Sequence, residues 1–290
     1  MNGTAPVTVV IPAHQAAPYL RITLESLQQQ SVLPEAIVVV DDGSTDDTGL
    51  IARQFGVTVV TQEKRGPGAA RNRGIDLAKT EFVAFLDADD WFAPDKLQLA
   101  IKWLEELQAL CIGTDAWIVR DDRIEGRKNQ KRVVPSVLTQ EALLRENPII
   151  CSTVVARTEA VRAAGCFDEH PDLVATEDFD LWLRMSVREP IAYLNEPLTF
   201  YRVHGASLSA NTRFVRGIDR IMERIVAAQQ GEAHFVTLAR RRQADVRLDL
   251  AWDLMTAGRR AEARELIAEA SRYARSWKAL RMRLRSLLPA

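Results

Sequence analysis

The chain has 290 residues, of which 47% are hydrophobic and 27% charged, and its net charge is −1. This balance is typical of a globular protein and excludes a disordered or fibrous one. No stretch reaches the ~18 uncharged apolar residues of a membrane span, and the opening MNGTAP lacks the features of a signal peptide. We therefore expect a cytoplasmic protein, folded as one large domain or as one domain with an appendage.

The small net charge hides an asymmetry along the chain. Residues 1–210 contain 21 Lys and Arg against 30 Asp and Glu, whereas residues 211–290 contain 17 against 9. The C-terminal part is almost entirely helical in pattern and rich in arginine and alanine. We therefore predict one domain over residues 1–210 and a helical, basic region over residues 211–290.

Short β-branched strands alternate with amphipathic helices over the first 107 residues. The predicted strands are residues 7–12, 36–40, 57–60 and 81–86, and the predicted helices are residues 14–30, 48–55, 68–78 and 94–107. This alternation predicts an α/β fold with a doubly wound, mostly parallel sheet flanked by helices. Beyond it we expect strands at residues 111–119, 149–155 and 191–201, an exposed loop at residues 120–132 and a helix at residues 177–185.

Two adjacent acids, Asp41 and Asp42, follow the second predicted strand in DDGSTD. Folds of this class bind ligands at the carboxyl ends of their strands, and an acid there commonly accepts a hydrogen bond from a ribose or a base. Helix capping would account for Ser44 or Asp46, but it does not account for two adjacent acids.

Gly66 opens a glycine-rich turn, GPGAARNRG, that runs into a helix. Backbone N–H groups at the start of a helix attract anions, and Arg71 and Arg73 lie in the first turns of this one. The alternative is that the glycines only allow the helix to pack closely on a strand, since the pattern matches no established phosphate-binding loop.

Three carboxylates follow the fourth predicted strand, in EFVAFLDADDW. Asp87, Asp89 and Asp90 would repel one another, so we expect a cation among them. Oxygen ligands at this spacing suit Mg²⁺ or Mn²⁺ better than Zn²⁺. For a lone Asp-x-Asp sequence the alternative is a turn with a helix cap.

Two later segments contain further candidate functional residues. In TEDFDLWLR the acids Glu177 and Asp178 precede an apolar helical face, a position where acids are also common as helix caps. In YRVHGASLS, His204 follows a predicted strand, and a single histidine is more often structural than a ligand.

Taken in order, the segments VTVVIPAH, VVVDDGSTD, GPGAARNRG, FLDADDW, TEDFDLWLR and YRVHGASLS resemble glycosyltransferase family 2. The resemblance covers about residues 6–210, and residues 211–290 lie outside it. It implies an inverting enzyme with a GT-A-type nucleotide-sugar-binding fold.

The resemblance also implies roles for individual residues. The implied donor-binding residues are Pro12, Ala13, Asp41, Asp42, Gly66, Arg71 and Asp87. Among them Asp42 would accept a hydrogen bond from the base, with Asp41 in support, and Arg71 would approach the base or the diphosphate.

The same resemblance implies a metal site and a catalytic base. Asp87 and Asp89 would form the Asp-x-Asp pair that holds Mg²⁺ or Mn²⁺, with Asp89 as the more direct ligand, and His204 would reach the metal or the diphosphate. Asp178 matches the position of the catalytic base. Glu177 would orient the acceptor or help to set the pKa of that base.

The resemblance implies transfer of a sugar from a nucleotide-diphosphate sugar, with a UDP-sugar as the expected donor. The implied acceptor is a hydroxyl of a glycan or lipid-linked saccharide, and the implied role is bacterial cell-surface polysaccharide synthesis. One alternative is a nucleotidyltransferase, which usually has a glycine-rich loop after its first strand, where IPAHQAAPYL has no glycine. The other is a noncatalytic sugar-nucleotide-binding or scaffold protein, which the retained acids disfavour. The basic tail has no recognisable nucleic-acid-binding module.

Residues 276–288, SWKALRMRLRSLL, have two interpretations. Their apolar residues share one helical arc with basic residues beside it; the arc is Trp277, Leu280, Leu284, Leu287 and Leu288, flanked by Lys278, Arg281, Arg283 and Arg285, with Met282 off it. Such a helix would lie on an anionic membrane surface, so residues 272–290 would hold the protein at the inner face of the cell membrane. The alternative is a helix packed on the rest of the protein, with its arginines in solvent.

Overall fold

The computed structural model describes residues 3–204, 212–229, 232–274, 277 and 280–283. The chain forms two compact units: the first is Met1–Leu143, Asn147–Glu169 and Asp178–Ala206, and the second is Leu144–Glu146, His170–Glu177 and Ser207–Ala290. The GASLS part of the last motif lies outside the described residues, as do residues 275, 276, 278, 279 and 284–290 of the tail.

One sheet dominates the first unit, and within the described chain it has ten strands. They are β1 (Thr4–Ala13), β2 (Leu33–Asp42), β3 (Thr58–Gln62), β4 (Phe82–Phe85), β5 (Trp91–Phe92), β6 (Cys111–Arg120), β7 (Arg123–Arg127), β8 (Val137–Leu138), β9 (Val155–Arg157) and β10 (Ile191–Arg202). The strand order is β3-β2-β1-β4-β9-β6-β10-β5, with β7 paired to β6 and β8 paired to β10.

Helices join these strands and cover the sheet. They are α1 (Leu20–Gln28), α2 (Thr48–Gln54), α3 (Pro67–Leu77), α4 (Lys96–Glu106), α5 (Gln140–Arg145), α6 (Thr158–Ala163) and α7 (Glu177–Ser186). The buried residues Leu20, Leu24 and Leu27 repeat at helical spacing and pack, with α4 and the apolar side chains of β1, into one core. All four residues of β4 are buried, as the apolar run predicts.

The predicted α/β fold class is confirmed, and the sheet is parallel where the sequence alternates most regularly. Strands β3, β2, β1 and β4 are mutually parallel. The other half is mixed, because the three-residue strand β9 runs antiparallel to both β4 and β6, while β10 runs parallel to β6. The long strands β1, β2, β6 and β10 thus pair in parallel, as predicted, and every antiparallel pair among the described residues involves one of the short strands β5, β7, β8 and β9.

Two predicted elements differ in the structure. Residues 149–155 are not one strand, because Cys151–Thr153 forms a 3₁₀ turn in which the Thr153 hydroxyl donates to the Ile150 carbonyl at 2.7 Å. Residues 120–132 are not all loop, because β6 and β7 form a hairpin. Its turn residues, Asp121 and Asp122, have φ of 48° and 58°, the pattern of a two-residue hairpin turn.

The second unit contains the predicted helical C-terminal region, as α8 (Thr212–Ala228), α9 (Ala233–Thr256) and α10 (Arg260–Tyr273). Arg247, whose side chain is 4% exposed, forms a 2.6 Å ion pair with Asp219 and lies 4.4 Å from the centre of the Tyr273 ring. Of the helices in the described residues, none is both long enough and apolar enough to cross a membrane.

A buried lysine ties α4 to the middle of the sheet. Lys96 is 0% exposed, and its Nζ donates to Thr114 Oγ1 at 3.1 Å and to the Thr153 carbonyl. Burial lowers the pKa of Lys96 to about 7 and raises the pKa of the neighbouring Cys111 thiol. Lys96 thereby holds the 3₁₀ turn that lies behind the carboxyl end of β4.

Lys96 makes the free energy of unfolding depend on pH. An unfolded lysine keeps its proton up to about pH 10.4, whereas folded Lys96 releases it near pH 7. The unfolded state therefore binds more protons between these values, and stability rises with pH through this window, on the order of 4 kcal/mol at ~1.4 kcal/mol per pKa unit. Urea unfolding from pH 6.5 to 10 should show this rise in the wild type and lose it in Lys96→Met. If stability changed with pH in the same way in the wild type and in Lys96→Met, Lys96 would not be the source of the pH dependence.

Candidate active site

The carboxyl ends of β1, β2 and β4 meet at one edge of the sheet, because the three strands are parallel neighbours. Pro12 and Ala13 end β1, and Ala13 lies directly opposite Asp41 on β2. Asp87 follows β4 by two residues. The structure thus brings together at this edge the three groups of residues that the sequence places at separate strand ends.

Asp42 organises the loop between β3 and α3. Its buried carboxylate accepts hydrogen bonds from Gln62 Nε2 and from the backbone N–H groups of Arg65 and Gly66, each at 2.8 Å. A carboxylate has about four acceptor positions, so one remains for a ligand. Gly66 has φ of 97° and ψ of 167°, a conformation that requires glycine, and this conformation aims its N–H at Asp42.

Asp41 stabilises the turn on the other side of the strand end. Its carboxylate accepts a 2.9 Å hydrogen bond from the Ser44 N–H, and a Cβ at Gly49 would lie 2.9 Å from its Oδ2. The Gln15 side chain accepts a 2.7 Å hydrogen bond from the Thr45 N–H, which fixes the loop after β1 to the same turn. Asp41 therefore supports the edge on which Asp42 lies.

Helix α3 packs closely on β1 and delivers Arg71 to the Asp-x-Asp pair. A Cβ at Gly74 would lie 2.3 Å from Val10 Cγ1, so close packing does explain this glycine of the motif. The Arg71 side chain is 5% exposed, and its Nη2 donates to Asp87 Oδ1 at 2.6 Å. It also lies 5.3 Å from the centre of the Phe167 ring. Arg71 thus neutralises one charge of the carboxylate cluster.

The other two carboxylates of the cluster have different partners. Asp89 Oδ2 lies 2.8 Å from His204 Nε2. Burial and the charge of Asp87 raise the pKa of Asp89, and the hydrogen bond to His204 opposes that increase. Asp90 is 0% exposed and accepts a 2.9 Å hydrogen bond from the Arg202 N–H. Burial and its two acidic neighbours raise the pKa of Asp90 well above its usual value.

Asp178 belongs to the same electrostatic environment. Burial raises the pKa of the Tyr201 hydroxyl, and the carboxylates of Asp90, Asp87, Asp89 and Asp178 raise it further. Asp178 is half-buried, and its Oδ1 accepts a 2.6 Å hydrogen bond from the Phe179 N–H at the start of α7. Glu177, the residue before it, is 5% exposed.

The donor set at this edge fits a divalent cation shared with a ligand. Asp87, Asp89 and His204 offer two carboxylates and an imidazole, and a cation beside them would offset the burial and the Asp87 charge that together raise the pKa of Asp89. The described residues contain no group of three or more acidic, histidine or cysteine ligands that would enclose a metal by itself. Mg²⁺ is typically bound by one or two carboxylates together with substrate phosphates, and such a site needs no closed protein cage.

Tyr19, Trp91 and Arg202 also lie at this site, and they are not predicted from the sequence. The Arg202 guanidinium lies 5.2 Å from the centre of the Tyr19 ring and 5.0 Å from that of Trp91. The Tyr19 ring stacks on His204 with centroids 5.3 Å apart. The signal available in the sequence is the alternation of Phe200, Arg202 and His204 at the end of β10 and just after it.

The sequence matches the family model described as Glycosyl transferase family 2 over residues 8–163. TuaG of Bacillus subtilis, named as a teichuronic acid biosynthesis glycosyltransferase, is 30% identical over 213 residues, which cover 71% of this chain and 82% of TuaG. WfaP of Escherichia coli, named as a UDP-Glc:α-D-GlcNAc-diphosphoundecaprenol β-1,3-glucosyltransferase, is 29% identical over 211 residues, which cover 71% of this chain and 80% of WfaP.

Some relatives are much longer than this chain. Glycosyltransferase GlyA of Streptococcus pneumoniae is 29% identical over 217 residues, which cover 70% of this chain but 31% of GlyA. Among solved structures, S. aureus TarS 1–349 in complex with UDP-GlcNAc has a TM-score of 0.66 at 18% identity, covering 97% of this chain and 88% of the TarS 1–349 chain. This likeness concerns the fold alone and confirms the predicted GT-A-type architecture.

Proposed function

The chain belongs to glycosyltransferase family 2, and we propose that it transfers a sugar, with inversion, from a UDP-sugar to a hydroxyl of a glycan or lipid-linked saccharide. The observation that carries the proposal is that Asp42, at the end of β2, lies at the same carboxyl edge of the sheet as the Asp87–Arg71 and Asp89–His204 pairs. The names of WfaP and TuaG support a UDP-sugar donor, a lipid-linked acceptor and a role in bacterial cell-surface polysaccharide synthesis.

The nucleotide would lie over the ends of β1 and β2. Pro12 and Ala13 form the floor there, and the remaining acceptor position of Asp42 suits the N–H of a uracil ring. Gly66 keeps the loop in place through its N–H. The Arg71 side chain is too buried to bind the ligand directly. Its role at the diphosphate would therefore be to hold Asp87 in place through their ion pair.

Asp89, Asp87 and His204 would hold Mg²⁺ or Mn²⁺, which when bound supplies a Lewis acid that stabilises the charge of the departing diphosphate. Asp87 and Asp89 each have a protein partner, because Arg71 pairs with Asp87 and His204 Nε2 lies 2.8 Å from Asp89 Oδ2. These partners keep the carboxylates in place for the ligand.

Asp178 is the proposed general base. It lies at the start of α7, where its Oδ1 accepts a 2.6 Å hydrogen bond from the Phe179 N–H. A base at this point removes the proton of an acceptor hydroxyl as that oxygen attacks the sugar on the face opposite the diphosphate. A single displacement with one base and no covalent intermediate inverts the anomeric centre. Glu177 is the proposed residue that orients the acceptor.

The two alternative functions fit the site less well. A nucleotidyltransferase would use a glycine-rich loop after β1, where this chain has HQAAPY. A noncatalytic binding protein would not need a carboxylate at Asp178 in addition to the Asp-x-Asp pair.

We also propose that residues 272–290 attach the enzyme to the inner face of the cell membrane. In the described part of this segment Trp277 is 80% exposed and Leu280 45% exposed, whereas Met282 is 6% exposed and packs against Leu248 and Ile267. The apolar arc is therefore open to solvent at these two positions, beside the exposed Arg281. Aromatic and aliphatic side chains next to arginines suit an anionic lipid surface.

Replacing the proposed base should separate binding from transfer. In Asp178→Asn we expect UDP-sugar binding close to that of the wild type and transfer lowered by at least ~10²-fold, the lower range for loss of a general base. Screening UDP, GDP and dTDP sugars with Mn²⁺ and a lipid-linked acceptor identifies the donor for this assay. Asp253→Asn, an exposed carboxylate in α9, is the control. Transfer by Asp178→Asn near the wild-type rate would remove Asp178 from this role.

Replacing the proposed metal ligand should abolish the effect of the cation on nucleotide binding. We expect Mn²⁺ to raise the affinity of the wild type for UDP in calorimetric titration, and Asp89→Ala to lose at least ~10-fold of that gain, the lower range reported for perturbed metal sites. The control is Asp253→Ala, since this carboxylate is exposed in α9. An unchanged response to Mn²⁺ in Asp89→Ala would contradict the metal site.

The membrane proposal is tested by flotation with vesicles containing anionic phosphatidylglycerol. Burial of an apolar side chain of this size stabilises by ~1.5–3 kcal/mol, so the double variant Trp277→Ser and Leu280→Ser should bind at least ~10-fold more weakly. Leu107→Ser removes an equally exposed leucine from another surface and should bind like the wild type. Equal flotation of the double variant and the wild type would show that the segment does not bind the membrane.

A further inference from the structure

Five planar side chains form one continuous stack beside the Asp-x-Asp pair. In order they are Phe200, Trp91, Arg202, Tyr19 and His204. The Phe200 and Trp91 rings are stacked with centroids 5.1 Å apart and an interplanar angle of 8°. The Arg202 guanidinium lies between Trp91 and Tyr19, at 5.0 Å and 5.2 Å from their centroids, and Tyr19 stacks on His204 at 5.3 Å and 13°.

The geometry of a β-strand explains why the stack can form. Phe200, Arg202 and His204 alternate along β10 and the residues just after it, so they share one face. Side chains on one face of a strand are about 6.7 Å apart, which is nearly twice the ~3.5–4 Å contact distance between carbon atoms. One planar group therefore fits into each gap. Trp91, paired with Phe200 across β5 and β10, fills the first gap, and Tyr19 fills the second.

Arg202 joins the stack to the acidic turn. Its Nε donates to the Asp89 carbonyl at 3.2 Å, and its backbone N–H donates to the Asp90 carboxylate at 2.9 Å. Its Nη1 reaches Asp122 at 2.5 Å, but that carboxylate is 84% exposed and contributes little. The central member of the stack is thus hydrogen-bonded to Asp89, the residue that faces His204, and to Asp90, the residue after it.

We propose that this stack positions the His204 imidazole against Asp89, and that Tyr19 and Arg202 are positioning residues for the binding of a divalent cation with a nucleoside diphosphate. The inference rests on the proposed function, since it assigns His204 to that ligand. Tyr19 is the decisive member because its ring stacks directly on His204. A ring held in one orientation loses less freedom when a ligand binds, so preorganisation strengthens binding.

Because the stack consists of planar groups, substitutions that keep a planar side chain should preserve it, and substitutions that remove one should disrupt it. Tyr19→Phe keeps the ring that supports His204, whereas Tyr19→Leu keeps apolar bulk but removes the flat face. Arg202→Lys keeps the positive charge but loses the planar guanidinium and its Nε–H donor. A merely space-filling stack would tolerate Tyr19→Leu as well as Tyr19→Phe.

The first test measures UDP affinity by calorimetry with and without Mn²⁺ in the wild type, Tyr19→Leu and Tyr19→Phe. We expect Tyr19→Leu to weaken the Mn²⁺-dependent affinity by about 10-fold, as residues that orient metal ligands typically do, and to leave the affinity without Mn²⁺ unchanged. Tyr19→Phe should restore the wild-type value. Equal values for all three proteins would overturn the stack proposal but leave the proposed function standing, whereas a wild type that binds no UDP would overturn the proposed function.

A double-mutant cycle tests whether Tyr19 acts through His204. In a His204→Ala background, Tyr19→Leu should change the Mn²⁺-dependent affinity by less than ~2-fold, because coupled residues are not additive. An undiminished loss would overturn the proposal. If Tyr19→Leu does not fold, Arg202→Lys takes its place in the same cycle, with Asp122→Ala as the control for the lost ion pair.

An NMR measurement without any ligand tests the stack independently of the proposed glycosyltransferase function. The NMR signal of the His204 Cε1–H should carry an upfield ring-current shift from Tyr19 in the wild type and in Tyr19→Phe. The shift should disappear in Tyr19→Leu. An unshifted signal in the wild type would show that the stack does not form in solution, whatever the protein binds.

Discussion

Three carboxylates lie within four residues at the end of a strand that is buried on both faces. The main constraint on the first unit is that each of these carboxylates needs a stabilising partner. Asp87, Asp89 and Asp90 lie close together in a turn, and burial together with their mutual repulsion raises the pKa values of Asp89 and Asp90. The chain provides a different partner for each: Arg71 for Asp87, His204 for Asp89 and a backbone N–H for Asp90.

These partners come from elements far apart in the sequence, and a different packing contact or hydrogen bond fixes each element. Gly74 lets α3 approach β1 closely enough to deliver Arg71. Lys96 holds the 3₁₀ turn whose Ser152 hydroxyl accepts a 3.0 Å hydrogen bond from the Asp87 N–H. The stack on β10 holds His204. The site is therefore preorganised by its surroundings, which is what a reaction driven by electrostatic stabilisation requires.

The parts of the structure that depend on local patterns could be predicted from the sequence. The alternating strands and helices, the buried strand β4 and the acids at strand ends follow from periodicity and composition. The 3₁₀ turn at residues 151–153 is not among them, and its Thr153 carbonyl accepts a hydrogen bond from Lys96, 57 residues away, a contact that no local pattern reveals. The stack joins Tyr19, Trp91 and residues of β10, a contact that strand and helix periods do not reveal. The roles of Asp178, Asp89 and His204 remain predictions of the resemblance, now with a geometry that supports them.

The central claim is that the carboxyl edge of β1, β2 and β4 binds a nucleoside diphosphate together with a divalent cation. The most direct measurement is a crystal structure with UDP and Mn²⁺, with data collected at the manganese absorption edge. The account predicts an anomalous peak within direct coordination distance of the Asp89 carboxylate, and a uracil ring beside Asp42. A manganese peak elsewhere, or UDP bound with no peak at Asp89, would contradict it.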